Sequence, residues 1–196
     1  MNIKYEIMKN LKISLIIVAI VSVTALYGES PIKYISSKTH VKFFSTTPIE
    51  DIEANNYATV STISPSSGEV VFSVPMQGFE FENAMMQQHF NNEHFLETNV
   101  FPKSKFKGTI SNLDDIDFTK NGEYDAVISG ELTIKDKTNP VNKSGTISVN
   151  DQILSINSTF NVTLADYGIT FNDSEMVSTK IGKTVEITIK GVYDAQ

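Results

Sequence analysis

The side chains of this sequence that could do chemistry are three histidines, a few neighbouring carboxylates and many hydroxyls. His89 and His94 stand five apart, not at the i, i+4 spacing that sets two imidazoles on one helical face, and His40 belongs to another segment. No metal site is expected. Asp114, Asp115 and Asp117 form an acidic knot without the alternating Asp order, glycine and distal Glu of a calcium loop, so it reads as a solvated loop. No G-x-S-x-G occurs, and no Ser–His–Asp set follows from the spacing. Of the carboxylate pairs, Glu80 and Glu82 are turned to solvent by alternation. In the other, Asp166 and Asp173, Asp166 suits a turn in which its carboxylate accepts backbone amides. His89 is expected to cap or pack at a helix–sheet junction, with His94 exposed. No catalytic residue and no cofactor is assigned, so the chain reads as a non-enzyme.

Composition narrows the field further. With 196 residues, 40% hydrophobic and 20% charged, the chain suits one folded domain. It has no cysteine, hence no disulfide, thiolate metal site or Cys nucleophile. It also has no arginine and a net charge of −7, so it lacks the basic face and bidentate forks that nucleic acid requires. Lys9 and Lys12 precede an apolar run, Ile13–Leu26, and a small-residue exit around Ala25 and Gly28. The run is shorter than the roughly 20 residues of a membrane span, and the pattern describes a secretory signal peptide over 1–28, cleaved between 25 and 28. Removing it takes away three Lys and one Glu, moving the charge from −7 to −9. No stable membrane insertion is expected after cleavage. The remainder, 29–196, reads as one periplasmic or secreted domain, and a homodimer is allowed for.

The elements that must position any site come from period-two alternation. Val70, Phe72, Val74 and Met76 form one such set, and Tyr124, Ala126, Ile128, Gly130, Leu132 and Ile134 another. Leu154 to Leu164 and Val185 to Tyr193 repeat it, which predicts antiparallel strands with one buried face. Eight strands are expected, near 39–46, 57–63, 69–77, 104–113, 123–135, 144–150, 152–165 and 183–193. Breaks fall at SPSSGE, KNGE, VNDQ and the Gly-bearing SGT (144–146). Strands this long leave long edges unless the sheet closes, so an all-β antiparallel barrel is favoured. ENAMMQQHF breaks the pattern. Met85, Met86, His89 and Phe90 make one face of a short helix near 83–91, and Pro102 then forces Phe101 extended ahead of a strand.

Three ordered motifs carry a resemblance. FLETNVFPKSKFKG (95–108), with the residues before it, resembles the H-L-x-S-x-D-F-F-D-V-x-x-Y-P-x-x-x-F segment of the YceI family of lipid- or polyisoprenoid-binding, lipocalin-like barrels. His89 and Phe90 fall on H-L, Phe95 and Leu96 on F-F, Glu97 on the acidic residue, Phe101 and Pro102 on Y-P, and Phe106 on the last F. GEYDAVISGELTIKDKTNPV (122–141) is similar to that family's G-x-Y-x-V-x-G-x-L-T-x-x-G-x-T-x-P-V, and ADYGI (165–169) to its R-x-D-F-G-I. Departures stand at Met86 and Gln87, where the family often has Arg-Asp, at Leu164 for the Arg, and at Asp136 for the glycine.

The resemblance implies an eight-stranded lipocalin-like barrel that holds a polyisoprenoid or another long amphipathic lipid, such as a quinone. An eight-stranded barrel either fills itself or holds one small ligand. Small inward residues (Ala126, Gly130, Ser158) among large ones favour a cavity, with Met85 and Met86 closing one mouth. The candidate pocket residues are Phe72, Val74, Met76, Met85, Met86, Phe90, Phe95, Phe106, Ile128, Phe160 and Val162. The alternative is an exported structural or interaction module with a filled barrel and no ligand.

Overall fold

Alternating stretches become long strands, and the strands close on themselves. A computed structural model describes residues 32–47, 50–151, 153–170 and 182–195. The signal segment expected at 1–28 and Asp173 lie outside them. Among the described residues the strands are β1 (Tyr34–Thr46), β2 (Asp51–Ile63), β3 (Glu69–Pro75), β4 (Phe79–Phe81), β5 (Lys103–Ile110), β6 (Gly122–Ile134), β7 (Lys137–Asn150), β8 (Ile153–Thr163) and β9 (Thr184–Ala195), with one α-helix, α1 (Ala84–Asn91), after β4. Antiparallel pairing runs β1–β9–β8–β7–β6–β5–β3–β2 and returns from β2 to β1, an eight-stranded closed barrel. The three-residue β4 stands outside that ring and pairs only with the start of β2. Among the described residues, no helix is long and apolar enough to cross a membrane.

Three strand limits differ from the alternation, each for a physical reason. In β1 the buried positions are Tyr34 and Ser36, then Thr39, Val41 and Ser45. The phase shifts by one where the pairing with β2 is irregular, so only the stretch from Thr39 read as a strand. β2 shifts likewise, from Ile52, Ala54 and Asn56 to Thr59, Ser61 and Ile63. Asn56, fully buried, fastens that kink. Its Oδ1 accepts the Ala58 amide (2.9 Å) and the Thr59 hydroxyl (3.1 Å), and its Nδ2 donates to the Pro75 carbonyl (2.8 Å). The third difference is a correction: SGT (144–146) is no turn. It lies inside β7, and the β6–β7 hairpin turns instead at Lys135 and Asp136, with Lys135 at φ 55°.

Two buried clusters gather toward the two ends. Tyr193, Ile63, Val70, Ile110, Ala126, Ile147 and Leu154 gather where β2, β5, β7 and β9 end, beneath Ile116 and Phe118 of the β5–β6 loop. At the other end Val41, Ala54, Phe79, Phe90, Leu96, Leu164, Tyr167 and Val185 pack around α1 and the 3-10 turn Leu164–Tyr167. Close backbone approach tightens the wall between them. Gly108 and Gly130 are register partners on β5 and β6, and a Cβ on Gly130 would collide with the Gly108 and Lys107 backbone. The Phe106 ring covers this pair, with Cζ 2.6 Å from where a Gly108 Cβ would stand. The expectation that Gly130 leaves room in the interior is therefore corrected: neighbouring backbone takes up the space.

Inside the first cluster, Tyr193 is fully buried and its hydroxyl accepts from Ser61 (2.7 Å), which in turn shares a 2.6 Å bond with Thr39. Burial pushes the Tyr193 hydroxyl up to about 12 against an ordinary value near 10, and the Ser61 bond only partly opposes this. A group whose proton is held more tightly in the folded state stabilises it fully below the unfolded value and loses that contribution as pH rises through the folded one. Stability is therefore expected to fall by roughly 2–3 kcal/mol between about pH 10 and 12, and by clearly less in Tyr193→Phe. Urea unfolding followed across that range checks this. An equal alkaline loss in the variant would contradict it.

Candidate functional site

Between the two clusters, and lined by members of both, lies a cavity of about 660 Å³. The strand faces that alternation turned inward form its walls: Phe72, Val74 and Met76 from β3 and the turn after it, Phe106 from β5, Ile128 from β6, and Phe160 and Val162 from β8. Met85, Met86 and Phe90 of α1 and Phe95 of the following loop line its mouth. The structure thus brings all eleven sequence-derived residues around one chamber. The lining extends well beyond these eleven, and among the residues not singled out are Val41, Phe43, Ile52, Phe79 and Phe81. Val41 and Phe43 are legible as alternate residues of HVKFF. Ile52 sits in the half of β2 hidden by its phase shift, and Phe79 and Phe81 come from β4, too short to alternate recognisably.

The mouth is organised around Phe90. Asn83 caps α1, its Oδ1 accepting the Met85 amide at 2.9 Å, and the helix runs only eight residues. Phe90, 7% exposed, packs against four rings: Phe81 at 5.0 Å between centroids, Phe79 at 5.4 Å, Phe43 at 5.8 Å and Phe95 at 6.0 Å. So short a helix buries one residue rather than a face. Met86 is half-buried, and Met85 is 64% exposed at the rim. His89 is exposed too, at the edge of the chamber mouth, which corrects the expectation that it packs at the junction; its carbonyl accepts the Asn92 amide. His94 is exposed as expected.

From the helix end to β5 the chain forms a tight corner. Buried Thr98 donates to the Asn91 Oδ1 (3.0 Å), Glu97 stands at φ 48°, and the Pro102 carbonyl accepts the Met76 amide (2.9 Å). Lys135, from the β6–β7 hairpin, reaches the Phe95 carbonyl at 3.1 Å. Rings and proline in this stretch therefore hold the rim in place.

The chamber's chemistry is overwhelmingly apolar. Ser104 is buried against it, with its hydroxyl spent on the Met76 sulfur at 3.0 Å. Among the described lining residues Glu50, Lys105 and Lys143 carry charge. Glu50 belongs to the β1–β2 loop, and Lys105 is exposed on the outward parity of β5. Leu164, where the sequence comparison expected an arginine, is buried in the rim cluster. Asp166 is exposed, and its carbonyl rather than its carboxylate is used, accepting from Asn139 at 2.7 Å. That corrects the carboxylate role expected for it. Asp114 and Asp115 are exposed, and Asp117 bonds the Thr119 amide and hydroxyl, which holds its carboxyl below the usual range. Among the described residues no three His, Asp or Glu side chains converge on a point.

A family model described as a YceI-like domain matches residues 34–193. Among solved structures, a polyisoprenoid-binding domain from Saccharophagus degradans implicated in plant cell wall breakdown superposes with a TM-score of 0.70 at 10% identity, covering 85% of this chain and 99% of that one. BcnA of Burkholderia cenocepacia gives 0.64 at 16% identity, over 79% and 96%. A Campylobacter jejuni YceI protein gives 0.55 at 11%, over 70% and 81%. No curated protein matches the chain.

The mouth geometry separates two residues of one helix. Phe90→Ala is expected to lose about 3–5 kcal/mol, because four rings lose their common partner. Met85→Ala, at the exposed rim, should change stability by no more than about 0.5 kcal/mol. Parallel urea denaturation of the two variants checks this, and equal losses would contradict it.

Proposed function

The chain belongs to the YceI-like domain family, and on that premise we propose that it is an exported carrier that holds a polyisoprenoid or a similarly long, quinone-like lipid inside its barrel, without catalysis. The observation that carries the reading is the 660 Å³ apolar chamber inside a closed barrel. Its volume falls within the roughly 300–1,000 Å³ typical of small-molecule sites. A barrel filled by its own side chains would leave no such volume, which weighs against a purely structural role. The S. degradans relative, described as polyisoprenoid-binding, supports the ligand class. Export rests on the apolar leader of the sequence, and the periplasm or the exterior is the destination it supports.

Binding is driven by burial of the chain, at about 0.8 kcal/mol for each CH₂ taken from water, reduced by the cost of ordering the ligand. Flat Phe rings and flexible Met side chains grip an irregular hydrocarbon without demanding one shape. The head group gains little by comparison. With no arginine in the chain and leucine at position 164, nothing supplies the bidentate fork that a pyrophosphate favours.

Two measurements check this. Organic extraction of protein purified from its natural host, read by native mass spectrometry before and after, should release an apolar lipid of isoprenoid or comparable chain; protein free of any lipid would speak for a filled or ligandless barrel. In a binding series, a polyprenyl alcohol and its pyrophosphate should differ by less than about tenfold. A large pyrophosphate preference would sink the head-group argument.

A further inference from the structure

The barrel wall is split along one seam. Pairing between β7 and β8 runs from Asn150–Ile153 to Thr146–Asn157 and stops there, although β7 begins at Lys137 and β8 continues to Thr163. Residues 137–145 are thus paired to β6 alone and 158–163 to β9 alone. Pro140 lies in this one-sided stretch of β7, where a residue lacking an N–H is tolerated in a sheet. Side chains span the gap instead of the backbone. Ser158 Oγ donates to the Ser144 carbonyl at 2.7 Å, Lys143 Nζ to the Asn161 carbonyl at 3.1 Å, and Asn139 Nδ2 to the Asp166 carbonyl at 2.7 Å. A short hydroxyl bridges the first step beyond the ladder and long side chains bridge the later ones, so the strands diverge toward the mouth.

Lys143 sits in this split on the inner parity of β7. Its register partner on β6 is Ile128, and Val141 and Gly145 flank it on the same face; all of these line the chamber. Lys143 is half-buried, its stem along the chamber wall and its ammonium at the solvent-reached seam beside exposed Asn161. The ammonium has two partners, the Asn161 carbonyl and the Phe160 ring, whose centroid is 5.3 Å from Nζ. One acceptor uses one of its three donors, which leaves the others for a ligand. Asn157, Ser158 and Thr146, at the closed end of the seam, also line the chamber and add hydroxyl and amide groups.

We propose that the polar end of the bound lipid is held in the β7–β8 split, where Lys143 donates to an acceptor oxygen of the head group while the apolar chain fills the chamber. The proposal rests on the lipid-binding reading above. A single ammonium with hydroxyl neighbours matches a head group carrying an alcohol, a carbonyl or one negative charge. It offers a second phosphate nothing, in keeping with the weak pyrophosphate preference.

The test uses lipid-extracted protein, native and with Lys143→Met or Lys143→Arg, and three probes sharing a similar chain: geranylgeranoic acid, geranylgeraniol and the headless hydrocarbon phytane. Native mass spectrometry gives their relative affinities. Native protein should rank the acid and the alcohol above phytane. Lys143→Met should lower affinity for the acid by about ten- to hundredfold and for the alcohol by less, and leave phytane unchanged. Lys143→Arg should keep the preference. Three probes bound equally by native protein, or all weakened together in Lys143→Met, would overturn the seam site and leave the chamber reading standing. Native protein that takes up none of them would overturn that reading itself.

Discussion

β1 is hydrogen-bonded on both sides, to β2 and to β9, and this double pairing is the constraint from which the rest follows. It joins the first described strand to the last and removes the edges that strands of 11 to 14 residues would otherwise expose. Closure fixes the register, since a slip of one residue would turn every inward side chain outward. It also produces an interior. Once the sheet is a tube, alternate residues of eight strands converge, and where they gather depends on which of them are large. Here the bulk is concentrated at the ends, around Tyr193 at one and Phe90 at the other, and the middle stays open.

Aromatic rings set that distribution in a way the sequence partly displays. FKG (106–108) and GVY (191–193) place a ring two residues from a glycine on the same strand face. The Tyr193 ring lies over Gly191, with Cε2 2.7 Å from where a Cβ would stand, as the Phe106 ring lies over Gly108. Rings laid flat along the wall leave the lumen to others. Glycine inside a barrel strand thus signals a ring or a neighbouring backbone close by, and room for a ligand is a different property.

The barrel, its helix and the rim corner were legible because alternation, the helical spacing of Met85, Met86, His89 and Phe90, and the Phe-Pro spacing are local signals. What escaped depends on relations between strands. β1 and β2 each change phase at a bulge, and the Asn56 side chain that satisfies the β2 kink has its partners at positions no local pattern links. The β6–β7 turn escaped because it uses Lys135 and Asp136, without glycine or asparagine. The chamber residues were recoverable from parity, since β3, β5, β6 and β8 keep their phase. The split beside Lys143 was not, because it arises from where the β7–β8 ladder ends, and neither strand's own pattern records that.

The central claim is that the middle of this barrel is a lipid chamber, and a single reporter placed in its wall addresses that directly. Val74 lines the chamber and is only partly buried, and the sequence has no tryptophan, so Val74→Trp supplies the sole indole. Its emission would be followed during titration of lipid-extracted protein with geranylgeraniol. The account predicts a saturable shift of the emission to shorter wavelength, in a protein whose urea midpoint stays near that of the native chain. A flat titration, together with the loss of about 1–3 kcal/mol expected of an overpacked core, would contradict it.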